Sequence, residues 1–272
     1  MDMSLLRLYS LGIVAVNKPL SSAQIQVTPI EALPMLDGEL TSNPSLEEIQ
    51  GVDGQGNAYT AQVVSDNVVV ATWLPMGSNR RSAPDVRRGE RVFIWQYGNV
   101  DEFYWTATGW DEHLRRLETV IYTFSDTQDE SADATAAGNC YYLEVSTHTG
   151  QITLQTAKAN GEPFAFTLQF NTKQGCVVLT DDVGNYVELD SAATLIHLMN
   201  RMKTSLRLDK RDIVMDAPGN LDATVAKSMT FNAGQAIAIE APQGITLKSG
   251  GSTFKLAPSG ASLKAPKFEG GT

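Results

Sequence analysis

Residues 229–250 read MTFNAGQAIAIEAPQGITLKSG, and apolar pairs return within them every eight positions. Each pair has one residue between its members, as in Met229 and Phe231, Ile237 and Ile239, Ile245 and Leu247. A helix would space apolar residues three and four apart, so this alternation with a regular restart predicts very short strands, each turned sharply into the next. Glycine and proline stand between the pairs, where the chain must bend.

The repeat extends beyond this stretch in both directions. Upstream, Ile213 with Met215 and Leu221 with Ala223 keep the spacing, so the first apolar slot falls at 213, 221, 229, 237 and 245. The spacing is looser after 250 and between 177 and 208, and we interpret residues 177–272 as about eleven rungs of one repeat. The predicted needle core consists of Ile213, Met215, Leu221, Met229, Phe231, Ile237, Ile239, Ile245, Leu247, Phe254, Leu256 and Leu263.

A rung of eight residues is too small to bury a core by itself, and repeat architectures solve this by stacking. A single-chain parallel β-helix needs about twenty residues to pass round its own axis, so eight residues cover only one side. The simplest closure is three chains, each contributing one face per octad. This predicts an intertwined trimeric needle on the order of 50 Å long. The alternative, eight-residue hairpins in one sheet, would leave long unpaired edges.

Three further segments precede this needle. Residues 1–45 contain several prolines and predict an extended N-terminal arm. Between 46 and 126, five β-branched and aromatic runs predict a small antiparallel barrel with an OB-like (oligonucleotide/oligosaccharide-binding) fold. Residues 127–176 begin as an acidic linker and continue as a predicted β collar. The predicted fold class is therefore all-β, an OB-like barrel followed by a triple-stranded β-helix needle at 177–272.

This order of parts resembles the central spike of contractile phage tails, also called baseplate assembly protein V, and the related valine-glycine-repeat spike of type VI secretion. The segments that carry the resemblance are SAPDVRRGERVFIWQYG (82–98) in the barrel and AIAIEAPQGITLKSGGSTFKLAPSG (236–260) in the needle. The resemblance covers the chain from about residue 46 onward.

The resemblance implies a homotrimer in the virion, at the distal end of the tail, made in the host cytoplasm. Its barrels would sit under the hub protein that closes the tube, and its needle would puncture the host outer membrane when the sheath contracts. The span 127–176 is too short for the lysozyme domain that some members carry, and the His-x-His iron tip of others has no counterpart after His197. We therefore expect a separate tip-capping protein, with candidate contacts at Leu263, Pro266, Lys267 and Phe268.

Composition argues against several classes of protein. A net charge of −10 and a pI near 4.8 do not support a nucleic-acid partner. Trp95, Tyr97, Tyr104 and Trp105 are aromatic residues that could stack on bases, and we interpret them as barrel core instead. We expect neither a signal peptide nor a membrane-spanning helix. Five arginines form a candidate docking surface for the hub or a neighbouring protomer, with a solvated, internally paired loop as the alternative: Arg80, Arg81, Arg87, Arg88 and Arg91.

No residue pattern predicts catalysis, a metal site or a cofactor. The histidines are isolated in sequence, the carboxylate pairs fall in predicted turns, and the two cysteines are predicted to be unpaired thiols. These residues are His113, His148 and His197; Asp181 with Asp182 and Asp209 with Asp212; Cys140 and Cys176.

Two other functions stay open at this stage. A trimeric receptor- or glycan-binding tail fibre would use the needle only as a stalk, but it should end in a globular head, and about seven residues follow the last rung. An enzyme hidden in the collar would need a cluster of polar residues, which the collar sequence does not show.

Overall fold

The computed structural model describes residues 5–31, 46–52, 58–64, 68–111 and 117–266. Within these ranges the chain is all-β, without a helix. It divides into two compact units, Met1–Asn220 and Leu221–Thr272.

The first seven strands lie in the N-terminal part of the first unit. They are β1 Leu6–Val14, β2 Gln24–Pro29, β3 Leu46–Val52, β4 Ala58–Val64, β5 Val69–Trp73, β6 Arg91–Tyr97 and β7 Phe103–Ala107. The remaining strands of this unit are β8 Thr119–Ser125, β9 Cys140–Ser146, β10 Gln151–Gln155, β11 Phe166–Asn171, β12 Cys176–Asp181, β13 Tyr186–Asp190, β14 Leu195–Met199, β15 Ser205–Asp209 and β16 Asp212–Asp216. The second unit contains β17 Ile245–Ser249, β18 Ser252–Ala257 and β19 Gly260–Lys264.

Five strands close into a barrel in the order β1-β2-β5-β7-β6. Strands β5 and β7 run parallel, and the other pairs are antiparallel. Trp105, Ile94 and Val27 fill the interior and are fully buried. Gly12 faces the same core, where a Cβ would lie 2.5 Å from the Val27 side chain. Only glycine fits this position, because any larger side chain would overpack the barrel.

The predicted limits of the barrel are wrong. Strands β1 and β2 lie within residues 1–45, which the sequence predicts as an arm, and they are barrel strands. Strands β3 and β4 pair only with each other, and β8 belongs to the next sheet. The cause is long-range pairing. Strand β1 pairs with β6, whose partner residues lie 78 to 91 positions later in the chain, and the proline content of residues 1–45 cannot indicate such a distant partner.

The aromatic residues predicted as barrel core divide between its two sides. Trp105 is fully buried, and its indole N–H donates to the carbonyl of Ala23 at 3.0 Å. Trp95 and Tyr104 pair across β6 and β7 with alternation that points them outward, and Tyr97 is 42% exposed. The prediction holds for Trp105 and is wrong for the other three.

Strands β8 to β16 form one nine-stranded antiparallel meander. Longer loops connect β8 to β9 and β10 to β11, and short turns connect the other strands, with left-handed backbone at residues such as Gly175, Thr194 and Lys210. The predicted boundary at 177 is therefore wrong: collar strands and the first rungs belong to one sheet. Residues 177–216 adopt the hairpin arrangement within this chain, because their turns reverse its direction after each strand.

The barrel covers one edge of this sheet. The Arg81 amide donates to the Ile121 carbonyl at 2.7 Å, and the Thr123 amide donates to the Asn79 carbonyl at 3.1 Å. Between these two hydrogen bonds, the backbone of Arg80 forms an isolated antiparallel β-bridge with Tyr122. The segment after β5 therefore acts as a short added strand beside β8 and satisfies that edge.

In the second unit, β17, β18 and β19 form a three-stranded antiparallel sheet. Residues 221–244 form no strand, although they contain the octads in constant register.

Candidate functional site

The nine-stranded sheet carries two columns of apolar side chains on one face, which we call the apolar face. Its register brings the alternating pairs of successive strands side by side. One column is Val120, Val145, Ile152, Phe170, Val177, Leu189, Ile196, Leu208 and Ile213. The other is Tyr122, Leu143, Leu154, Leu168, Leu179, Val187, Leu198, Leu206 and Met215. At the strand spacing of about 4.8 Å, each column runs for roughly 40 Å.

In an ordinary half-buried sheet the apolar side chains are the buried ones, whereas in this sheet they are more exposed than the polar side chains of the opposite face. In β13, Val187 and Leu189 are exposed, whereas Tyr186, Glu188 and Asp190 on the other face are half-buried. Leu198 is 42% exposed and Met215 is 64% exposed. A contiguous apolar surface of this length is typical of an interaction site rather than of a solvated sheet face.

The octad segment 221–244 shows the same exposure without strand pairing. Phe231 is 73% exposed and Ile239 is 67% exposed. Backbone amides and carbonyls need partners when they are buried, and this segment has no β-ladder within its own chain. Both its side chains and its backbone are therefore available to another chain.

The second unit repeats the two-column pattern over three strands. Ile245, Leu256 and Ala261 form one row, and Leu247, Phe254 and Leu263 form the other. Leu247 is 59% exposed.

The structure thus places the predicted needle core at three locations. Ile213 and Met215 lie on β16, the last strand of the meander, whereas Ile245, Leu247, Phe254, Leu256 and Leu263 lie in β17–β19. Leu221, Met229, Phe231, Ile237 and Ile239 lie outside strands. All except Ile245 are exposed in the single chain, so their role as a core stays a prediction. Of the predicted tip contacts, Leu263 and Pro266 are exposed, while Lys267 and Phe268 fall outside the described residues.

Eight of the eighteen side chains of the apolar face lie outside the predicted needle. The sequence predicts residues 119–171 as barrel and collar, yet Ile152 with Leu154 and Leu168 with Phe170 have the same one-apart apolar spacing as the needle pairs. That spacing was the signal that could have extended the pattern upstream.

The five arginines do not form one positive patch. Arg80 pairs with Glu118 at 2.5 Å, Arg87 with the buried Asp85 at 2.5 Å, and Arg91 with Asp111 at 2.9 Å. Arg91 also lies over the Trp110 ring at 5.6 Å. Arg81 donates to the Thr135 carbonyl at 3.3 Å, and Arg88 is exposed. This geometry favours internal pairing, and the docking role stays a prediction.

One of these ion pairs, Arg80 with Glu118, helps to join the barrel to the sheet. The Glu118 carboxylate, next to β8, accepts from the Arg80 guanidinium and from the Asp85 amide at 3.1 Å. Nearby, the buried Lys18 donates to the carbonyls of Pro19 at 3.0 Å and Ser22 at 2.8 Å. Desolvation lowers the pKa of Lys18, opposed by the charges of Asp85 and Glu118. These contacts stabilise the junction between the barrel and the sheet.

The other candidates for chemistry have structural surroundings. The Asp181 carboxylate accepts the amides of Val183, Gly184 and Asn185 and so organises a turn. Asp182 pairs with Lys158. The hydrogen bond from Lys158, with one from the Ala165 amide, lowers the pKa of Asp182.

Histidine and cysteine provide no metal site in the part of the chain that the structure describes. His197 packs edge-on against Tyr186 at 5.3 Å, and His113 lies outside that part. Cys140 and Cys176 are both free thiols. Across residues 5–31, 68–111 and 117–266, no group of three or more histidine, cysteine or acidic side chains could hold a metal ion.

In comparisons with known proteins, no family model and no curated sequence matches this chain. Among the described residues, no helix has the length and hydropathy to span a membrane. The apolar face and the octad segment are therefore the features from which function can be inferred.

Proposed function

We propose that this chain is the trimeric central spike of a contractile phage tail, which organises the centre of the baseplate and punctures the host outer membrane. The observation that carries the proposal is the apolar face, whose two columns span nine strands and have thirteen of their eighteen side chains exposed in the single chain. Burying these side chains is worth about 25 cal/mol per Å² of apolar surface, so the face strongly favours association.

The proposed occupant of the apolar face is two further copies of the same chain. Three meanders arranged as a triangular prism would turn their apolar columns towards one axis and their polar faces towards water. A two-copy sandwich would cover the meander but would leave residues 221–244 without strand partners. In the proposed trimer, the three octad segments hydrogen-bond to one another, and Leu221, Met229 and Ile237 face the axis between them.

The barrel supports the spike proposal through its strand order. Counted only among the barrel strands, the order is 1-2-3-5-4, with a parallel pair between the third and the fifth. We interpret this five-stranded closed arrangement as an OB fold, which is the part expected at the hub-proximal end of a spike. Fold alone does not assign function, so the barrel supports the spike proposal only in combination with the needle.

The proposed role is mechanical. The meander from β11 to β16 consists of short hairpins, which suit a stiff element, and the sheath supplies the work of puncture. The proposed partners are the hub protein at the barrel and a tip-capping protein at the candidate contacts that include Leu263 and Pro266, with no cofactor.

The test is the mass of the purified full chain, measured by light scattering before and after treatment with detergent without heating. We expect a species of three times 29.5 kDa that survives the detergent. Electron micrographs of the same sample should show end views with threefold symmetry. A monomer or a dimer would overturn the proposal, because the needle requires three chains.

A further inference from the structure

The terminal three-stranded sheet separates apolar and charged side chains between its two faces. Opposite its apolar columns, the register aligns Thr246 with Lys255 and Ser262, and Lys248 with Thr253 and Lys264. All three lysines are exposed. We call the face that holds Lys248, Lys255 and Lys264 the lysine face.

The lysine face reverses the charge of the rest of the chain. Residues 241–266 contain these three lysines and no aspartate or glutamate, although the whole chain has a net charge of −10. Lys248 and Lys264 flank Thr253 on either side, which places their backbones about 10 Å apart. Lys255 is a diagonal neighbour at about 8 Å. These separations are comparable to the Debye length of about 8 Å at physiological salt, so the lysines act as one cationic patch.

We propose that the lysine face binds the anionic headgroups of a lipid membrane. This inference rests on the proposed function, because the trimer turns the apolar columns inward and leaves three lysine faces outward. Each lysine near an anionic membrane surface adds about fivefold to the affinity. The lysine face would then be attracted to the membrane, while the acidic remainder of the chain is repelled.

The chemistry of the face favours a membrane over other anionic partners. Nucleic-acid sites use arginine for bidentate contacts and aromatic rings for base stacking, and Thr246, Thr253 and Ser262 supply neither. Lysine is depleted from protein–protein interfaces, which makes an acidic protein a poor fit. Lysine ammonium groups on flexible side chains can contact the phosphates of a lipid surface without a fixed geometry.

The test measures flotation of the full chain with vesicles of phosphatidylcholine alone and of phosphatidylcholine mixed with phosphatidylglycerol. The K248Q/K255Q/K264Q variant is compared with K173Q/K203Q/K210Q, which removes three lysines from the turns of the meander. We expect wild type and the second variant to bind the anionic vesicles, and the first variant to bind at least about tenfold more weakly. Raising salt from about 0.1 M to about 1 M should release the wild type, because the Debye length falls from about 10 to about 3 Å.

The outcomes separate this inference from the proposed function. Light scattering on the same samples reports the trimer, so a trimer that floats equally with both vesicle types would overturn the lysine face alone. Equal losses in the two variants, or equally tight lysine-dependent binding to duplex DNA, would also overturn it. A monomer would overturn the spike proposal whatever the vesicles show.

Discussion

Truncating Leu198 to alanine distinguishes the assembled molecule from the isolated chain. Leu198 lies on the apolar face between Val187 and Leu206 and is 42% exposed, whereas Leu195 in the same strand lies on the other face and is less exposed. If the chain functioned alone, Leu195→Ala would be the more damaging change. If the apolar face is the interior of a trimer, Leu198→Ala must be the more damaging one.

The magnitude follows from the exposed part of Leu198. Complete burial of a leucine side chain contributes about 1.5–3 kcal/mol, so covering the remaining two fifths adds roughly 0.6–1.2 kcal/mol per chain. The cavity left by truncation raises the loss towards the usual 2–5 kcal/mol, which is about 6–15 kcal/mol for three chains. A Leu→Ala change at a solvated position stays within about 0.5 kcal/mol.

The assay is the rate of dissociation of the trimer in guanidinium chloride, followed by light scattering at a fixed protein concentration, because such assemblies are governed kinetically. We expect Leu198→Ala to dissociate far faster than wild type and Leu195→Ala to change the rate only slightly. Equal rates for Leu198→Ala and wild type, or a larger effect at Leu195, would refute the burial of the apolar face.

Three other changes probe separate parts of the molecule. Phe231→Ser should abolish the resistance of the trimer to unheated detergent, while Ala238→Ser, at a predicted outward position, should preserve it; equal behaviour on a gel would contradict an interior at 231. Gly12→Ala should lower the stability of the barrel by about 1–3 kcal/mol through overpacking, and calorimetry showing an unchanged melting temperature would disprove that crowding. Because its hydrogen bond with Lys158 lowers the pKa of Asp182, this stabilisation is present above the unfolded pKa near 3.8 and is lost as pH falls through the folded value. Asp182→Asn should therefore flatten the acid limb of the stability–pH profile, and a profile identical to wild type would rule out this contribution.

Much of the local structure could be predicted from the sequence. The one-apart apolar pairs at 187–189, 196–198 and 206–208 are strands in the structure, since a period of two places both residues on one face. The absence of a helix from the described residues agrees with this pattern. The candidate needle core follows from the same spacing.

The partner of each strand could not be predicted in the same way. Pairs at 206–208 and 237–239 have the same local pattern, yet the first lies in a hairpin of its own chain and the second has no partner within it. The difference comes from the intervening turns, which reverse the chain at Lys203 and Lys210 with left-handed backbone. Lysine is uncommon in a left-handed conformation, so the sequence did not indicate that the chain adopts it at these two positions.

What the sequence by itself determined is the alternation of side chains, the octad period and the excess of apolar pairs over what one chain buries. These properties are local, because each depends on residues within one or two strands. Only the tertiary structure decided that Leu6–Val14 closes a barrel with Arg91–Tyr97, and that eighteen apolar residues align in two columns on one face. Strand pairing joins segments that are distant in the chain, and its register depends on the backbone hydrogen bonds and packing of the whole sheet, which no local pattern contains.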